Sequence, residues 1–312
     1  MFTVSSVSYR LLRSDVDRAI HIGYIMLKIT STIHAVQITL RAIPLMVYAL
    51  LIRRQISEAV TLILELSYYS KEDTDNSGKT WFFSTCIVFL LETGYTIATY
   101  HKCEKFYQIE GDTLINIRDS EAERRFYIVM WLWCVRNEEF ESAHVWNGKI
   151  SKTHKNPQSD DSLNDLITNL YLLEGLLLFM VAKINKRNYE VIANTKHQVH
   201  SLIRILGNAS NVSKIIIPRF HHLKAYFQLI EMSYLPTSNV LIKSKDSAEK
   251  HGNLLELAWI EHSDRAWNNE LSQVQLDFWK EHCDDDNILD YHEIDLNNGR
   301  LGLFSLPIPK YF

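Results

Sequence analysis

Ala248-Glu249-Lys250-His251-Gly252-Asn253-Leu254-Leu255-Glu256-Leu257-Ala258-Trp259-Ile260-Glu261-His262-Ser263-Asp264-Arg265-Ala266-Trp267 decides how this chain is read. Gly252-Asn253 reads as the stop of one helix, and a second helix follows it. Beyond that stop, Leu255, Trp259, His262, Ala266 and Trp267 recur at intervals that put them on one helical face. A helix, a tight stop and a second amphipathic helix make one unit of a stacked helical repeat. Repeats of this kind build surfaces and scaffolds more often than reaction centres.

Working outward, the same periodicity dominates. Val16, Ile20, Gly23, Leu27 and Thr30 outline one helix, and Pro44 is expected to open the next at its first turn. Trp81 to Tyr107 reads as one long helix, and Ser70 to Gly78 as a polar surface loop. Arg124–Val135 with Glu138–Ile150, and Leu163–Ile184 with Tyr189–Leu206, read as antiparallel pairs turning at Arg136-Asn137 and Asn185–Asn188. Ile215–Met232, Asn239–His251 and Leu254–His282 follow. The expectation is an all-α, tetratricopeptide-like α-solenoid of roughly five antiparallel helix pairs. The polar run Ser151–Ser162, with Pro157, is the best boundary, giving an N-terminal segment 1–155 and a C-terminal segment 162–283. Residues 284–312 form an acidic tail whose Pro307 and Pro309 exclude helix, expected to lie extended along the surface.

Composition agrees. Of 312 residues, only 10 are Gly and 6 are Pro, too few for an architecture of many strand reversals. A formal net charge of -4, with both signs mixed along the chain, gives nucleic acid no basic field to bind. Cys86, Cys103, Cys134 and Cys283 have no zinc-type spacing and read as free thiols of a reducing, cytoplasmic compartment. The sequons at Asn208 and Asn211 would matter only in a secreted chain, and Met1–Ser14 lacks the apolar run of a signal peptide. Ile29–Ile52 is interrupted by His34, Gln37, Arg41 and Pro44, while Leu170–Ile184 contains Glu174 and runs about fifteen residues, short of a span. No integral membrane span is expected.

Each chemical motif has a simpler structural reading. Gly78-Lys79-Thr80 resembles the end of a phosphate loop, but Asp73 stands where that motif needs its first glycine. A polar loop capped into a helix by Thr80 is expected instead. Asp284-Asp285-Asp286-Asn287 with Asp290, His292, Glu293 and Asp295 lacks the alternation of a calcium loop, and Leu289 replaces its glycine. Adjacent His221 and His222 face different ways on a helix, and His262 is expected to pack on Trp259. The seven tryptophans sit at core spacing. No catalytic, cofactor-binding or metal-ligating residue is assigned, and no cofactor. An inter-helix pocket lined by Trp131, Trp133, His144 or Trp146 is the alternative, for a helical enzyme or ligand-binding protein.

Phe220-His221-His222-Leu223-Lys224-Ala225-Tyr226-Phe227, the Glu249–Ser263 stretch and the closing Leu306-Pro307-Ile308-Pro309 together resemble the C-terminal helical-repeat region of soluble, bicarbonate-regulated adenylyl cyclase (adenylate cyclase type 10) over about the last hundred residues. That family carries two cyclase domains, then a nucleotide-binding ATPase-like module, then a helical tail. No strand-rich segment with paired aspartates and no intact phosphate loop is present here. The resemblance implies a regulatory or scaffolding piece that binds an unidentified protein partner.

Overall fold

Seven connections between consecutive helices use one recurring reversal, three residues long in six of them and five residues long (268–272) between Trp267 and Gln273. Its second residue sits in the left-handed region at Ser14, His34, Arg54, Glu138, Arg187, Gly252 and Asn269. At each, the next amide closes on the carbonyl five residues back at 2.8–3.0 Å, as in Asn253 to Ala248 and Gln55 to Leu50. This Schellman closure satisfies carbonyls orphaned at a helix end and turns the chain straight into a new helix. After six of these turns an apolar residue, Val16, Val36, Ile56, Phe140, Tyr189 or Leu254, heads the next helix.

The computed structural model describes residues 4–73, 76–114, 119–153, 162–232, 237–282 and 301–309. Among the described residues every regular element is helical: α1 (Val4–Leu12), α2 (Val16–Thr32), α3 (Val36–Ile52), α4 (Ile56–Tyr69), α5 (Ser77–Thr93), α6 (Tyr100–Leu114), α7 (Ser120–Arg136), α8 (Phe140–Ile150), α9 (Leu163–Asn185), α10 (Tyr189–Ala209), α11 (Ile217–Glu231), α12 (Thr237–Lys250), α13 (Leu254–Trp267) and α14 (Gln273–His282). The helices outnumber the sequence expectation because Gly94, at φ 76°, and Asn269, at φ 57°, split runs read as continuous. Pro44 lies inside α3 instead of opening a helix. It removes one intrahelical bond there, and the start of α3 is set by the His34 reversal.

Two layers result. α3, α5, α7, α9, α11 and α13 pack against one another in that order, and α13 returns against α3 to close the circuit. α3, α5, α7 and α9 are buried on nearly every face, as helices enclosed by other helices must be. Outside them, α2 covers α3, α4 spans α3 and α5, α8 lies on α7, α10 on α9, and α12 spans α11 and α13. α7 and α9, on either side of residues 154–161, pack directly against each other. That linker segment, Cys283 and the acidic cluster Asp284–Asp295 fall outside the described residues.

Among the described residues one helix, Leu163–Asn185, is long and apolar enough to cross a membrane. Its most apolar window is 72% buried inside the protein, the position of a central core helix. All seven tryptophans are buried, as their spacing predicts. The closing segment differs from expectation: residues 301–309 are non-helical, but Leu303, Phe304 and Leu306 are buried against the helices and do not lie on the surface.

Candidate functional site

The inner layer should be apolar, yet it holds an ionic network assembled from one helix after another. Glu174, near the middle of α9, is fully buried. Its Oε1 accepts from Arg136 Nε at 2.8 Å and Nη2 at 2.5 Å, and its Oε2 accepts from Arg219 Nη2 at 2.6 Å. Arg136, the last residue of α7, also donates Nη1 to Leu91 O at 2.8 Å, tying α7 to α5. Arg219, in the first turn of α11, reaches Glu256 on α13 at 3.5 Å. Glu256 Oε1 meets His222 Nδ1 at 2.6 Å, and His222 Nε2 meets Ser263 Oγ at 3.0 Å.

Burial opposes the charge on Glu174, but the Arg136 and Arg219 guanidiniums overcome it and hold its carboxyl below the usual value. Glu256 behaves alike under Arg219 and the His222 hydrogen bond. Glu92 on α5 goes the other way: burial dominates and pushes its pKa up against the pull of Arg219. The arginines also sit on aromatic faces. Arg136 lies 5.3, 4.9 and 5.0 Å from the ring centroids of Trp259, Trp279 and Phe304, and Arg219 lies 4.5 Å from that of Trp259. Arg125 likewise lies 5.7 Å from the Trp81 ring centroid, but it differs in its hydrogen bonding. It is buried, none of its guanidinium nitrogens has a hydrogen-bond partner, and burial lowers its pKa, with the Tyr171 and Tyr48 hydroxyls and Glu121 acting against that.

The same network seats residues 301–309. Phe304 stands edge-on to Trp279, with centroids 5.9 Å apart, and faces Arg136. Gly302 N donates to Thr93 O at 2.8 Å. His262 Nε2 meets Ser305 Oγ at 2.9 Å, Trp267 Nε1 donates to Leu306 O at 2.9 Å, and Tyr226 OH donates to Pro307 O at 2.6 Å. Gly94 and Gly302 approach so closely that a Cβ on Gly94 would stand 2.2 Å from Gly302 O. Side-chain donors from α11 and α13 thus hold the carbonyls of an extended segment, which is how helical surfaces bind peptides.

The sequence readings sort plainly against this geometry. His221 and His222 do diverge: His221 Nδ1 meets Ser247 Oγ on α12 at 3.2 Å while His222 turns to α13. His262 bonds Ser305 Oγ through Nε2. Gly78-Lys79-Thr80 forms the first turn of α5, but the cap is Asp73, not Thr80: Asp73 Oδ2 accepts from Gly78 N at 2.6 Å and from Ser77 Oγ at 2.9 Å. Lys79 Nζ is held by Glu110 at 2.8 Å. A carboxylate therefore already fills the position a phosphate would take. Trp131, Trp133 and Trp146 are core, Trp133 stacking on Tyr100 at 3.9 Å and Trp146 donating to Tyr100 OH at 3.0 Å, whereas His144 is exposed. No local motif marks Glu174, Arg136, Arg219 and Arg125 in the sequence, although charges inside apolar runs are a signal of buried pairing.

Comparison with known proteins finds similarity to adenylate cyclase type 10. The human protein is 20% identical over 273 residues, covering 86% of this chain and 16% of that protein. The mouse protein is 24% identical over 218 residues, covering 67% of this chain and 13% of its own length. The rat protein is 24% identical over 197 residues, covering 61% and 12% respectively. The chain therefore spans only a small part of the length of these relatives. No family model matches, and no solved structure matches.

Proposed function

We propose that the chain is a non-catalytic, tetratricopeptide-like scaffold corresponding to the C-terminal helical region of an adenylate cyclase type 10, and that it serves cyclic AMP signalling in the cytoplasm by docking to a protein partner. The observation that carries this is the seating of residues 301–309: an extended stretch whose carbonyls are held by Trp267 and Tyr226 and whose Phe304 fills an aromatic and arginine-lined niche. Recognition of extended segments by helix-lined surfaces is the established use of helical repeats. The recurring reversal followed by an apolar residue, with alanine three places on at Ala19, Ala59 and Ala143, supports the repeat reading, since small residues there let paired helices approach. Mixing the purified chain with the cyclase region of a type 10 relative tests it, with association followed by sedimentation. Association that changes the cyclase rate is expected. No association and no rate change would remove the cyclase-regulatory reading.

A second reading, a helical protein with an interior ligand, is favoured by Arg125. A buried guanidinium with an aromatic face but no hydrogen-bond partner is costly, and a bound carboxylate or oxyanion would satisfy it. Thermal shift with phosphate, sulfate and acetate tests this reading. Saturable stabilisation lost in Arg125→Met supports it, and indifference to all three anions removes it.

A further inference from the structure

A second feature stands apart from the core network, on the outer layer. An opening of about 390 Å³ lies between α2 and α4, and three of its walls are tyrosine rings. Tyr68 and Tyr69 are neighbours on α4, with ring centroids 5.8 Å apart and planes at 80°, so they meet as two perpendicular walls. Tyr24 and Leu27 of α2 also line it. Two of the three rings are open to solvent, Tyr24 at 41% and Tyr68 at 63% exposure.

The charge lining this opening is mixed, one carboxylate and one lysine. Glu65 lines it, one turn before the two rings on α4, and Glu58 lies a further two turns back. Both carboxylates act on the Tyr24 hydroxyl, whose pKa is raised first by burial and then by Glu58 and Glu65. No described ion pair engages Glu65. Lys28 also lines the opening, but among the described residues it neither pairs with Glu65 nor stands over a ring. An anion would meet Glu65 directly. A primary ammonium would want three hydrogen-bond acceptors, and the lining is mostly ring and aliphatic carbon with one carboxylate and the Ser31 hydroxyl. A methylated ammonium has no such requirement. It is attracted by ring faces, fills apolar space with its methyl groups, and retains a charge for Glu65 to balance.

We propose that Tyr24, Tyr68, Tyr69 and Glu65 form an aromatic cage for a methylated ammonium group. This site is separate from the seat of residues 301–309 and does not depend on the scaffold reading. The cation could be carried by a free choline-type molecule or by a trimethylated lysine on a peptide, and the cage chemistry is shared by both.

Saturation-transfer NMR on the full chain tests the cage, titrating tetramethylammonium chloride against neopentyl alcohol, an uncharged molecule of the same shape. Tetramethylammonium should show saturable transfer and the alcohol should not. Tyr68→Ala, at a largely exposed ring, should weaken binding about 2- to 5-fold, and Glu65→Gln should weaken it by a similar factor. Circular dichroism of both variants should be unchanged. Choline and a trimethyl-lysine peptide then separate the sources, whichever binds more tightly identifying the carrier. Equal binding of the neutral isostere, affinity unaffected by Tyr68→Ala, or no transfer from tetramethylammonium would each overturn the cage.

Discussion

Replacing Glu174 with glutamine tests whether the inner layer is held by one carboxylate shared between two arginines. Glu174 accepts three charge-assisted hydrogen bonds, at 2.8 and 2.5 Å from Arg136 and at 2.6 Å from Arg219. At about 1.5–3 kcal/mol for each bond to a charged group, the gross interaction is roughly 5–9 kcal/mol. Glutamine keeps the shape and one acceptor oxygen, so about half of that is recovered. It leaves Arg136 without its counter-charge beside Arg219, which disfavours its cation, while Arg219 keeps Glu256. The net loss should be about 3–5 kcal/mol, the usual cost of removing one partner of a buried pair. Urea unfolding followed by tryptophan fluorescence reads it directly, because Trp259 sits on both guanidiniums. A double-mutant cycle with Arg136→Met should show coupling of about 1–3 kcal/mol. A loss under about 1 kcal/mol with no coupling would refute the shared-carboxylate account.

Other outcomes follow from the same geometry. Glu174 and Glu256 have depressed folded pKa values, so their stabilisation is complete above the ordinary value of 4.5 and is lost as pH falls below it; Glu92 is raised, so Glu92→Gln should leave stability at neutral pH equal or higher, measured by urea unfolding at pH 7. His262 is depressed from 6.5 to about 4, by burial first and by Arg265 and His222 next, so its contribution is present above pH 6.5 and lost on descent toward 4; His262→Gln should flatten that part of the stability curve. Phe304→Ala should free residues 301–309 before the helices unfold, read as faster proteolysis of that segment with the helical circular dichroism unchanged. Gly94→Ala should do the same from the other side, because φ is 76° and the added Cβ meets Gly302. His34→Gly, at φ 52°, should raise stability by about 0.5–1 kcal/mol in a thermal melt, since glycine adopts that region without strain.

The sequence revealed helices far better than it revealed how they meet. Gly252-Asn253 is legible as a stop because glycine and asparagine are the residues most at home there. The six other reversals use Ser, His, Arg, Glu, Arg and Asn, so the repeated device is hidden in ordinary surface residues. In these, the Schellman bonds, not residue preference, hold the strained backbone. Runs such as Trp81–Tyr107 read as single helices because apolar periodicity continues past Gly94, and only the left-handed turn breaks them. The ionic centre was hidden for a different reason. Arg136 looked like a turn residue and Glu174 like an interruption of an apolar run. Their partners lie 38 and 45 positions away in sequence, and no local pattern links them. The closing segment looked like a surface tail because its prolines exclude helix. Its burial depends on the niche that Trp279, Arg136 and Trp267 build from three other helices.

The central claim is that this chain, although similar to part of a cyclase, acts by binding and not by turnover. Cyclic AMP formed from ATP by the purified chain, with Mn²⁺ or Mg²⁺ and bicarbonate, tests it most directly. The account predicts no cyclic AMP above the protein-free control. Robust formation, proportional to chain concentration, would contradict it.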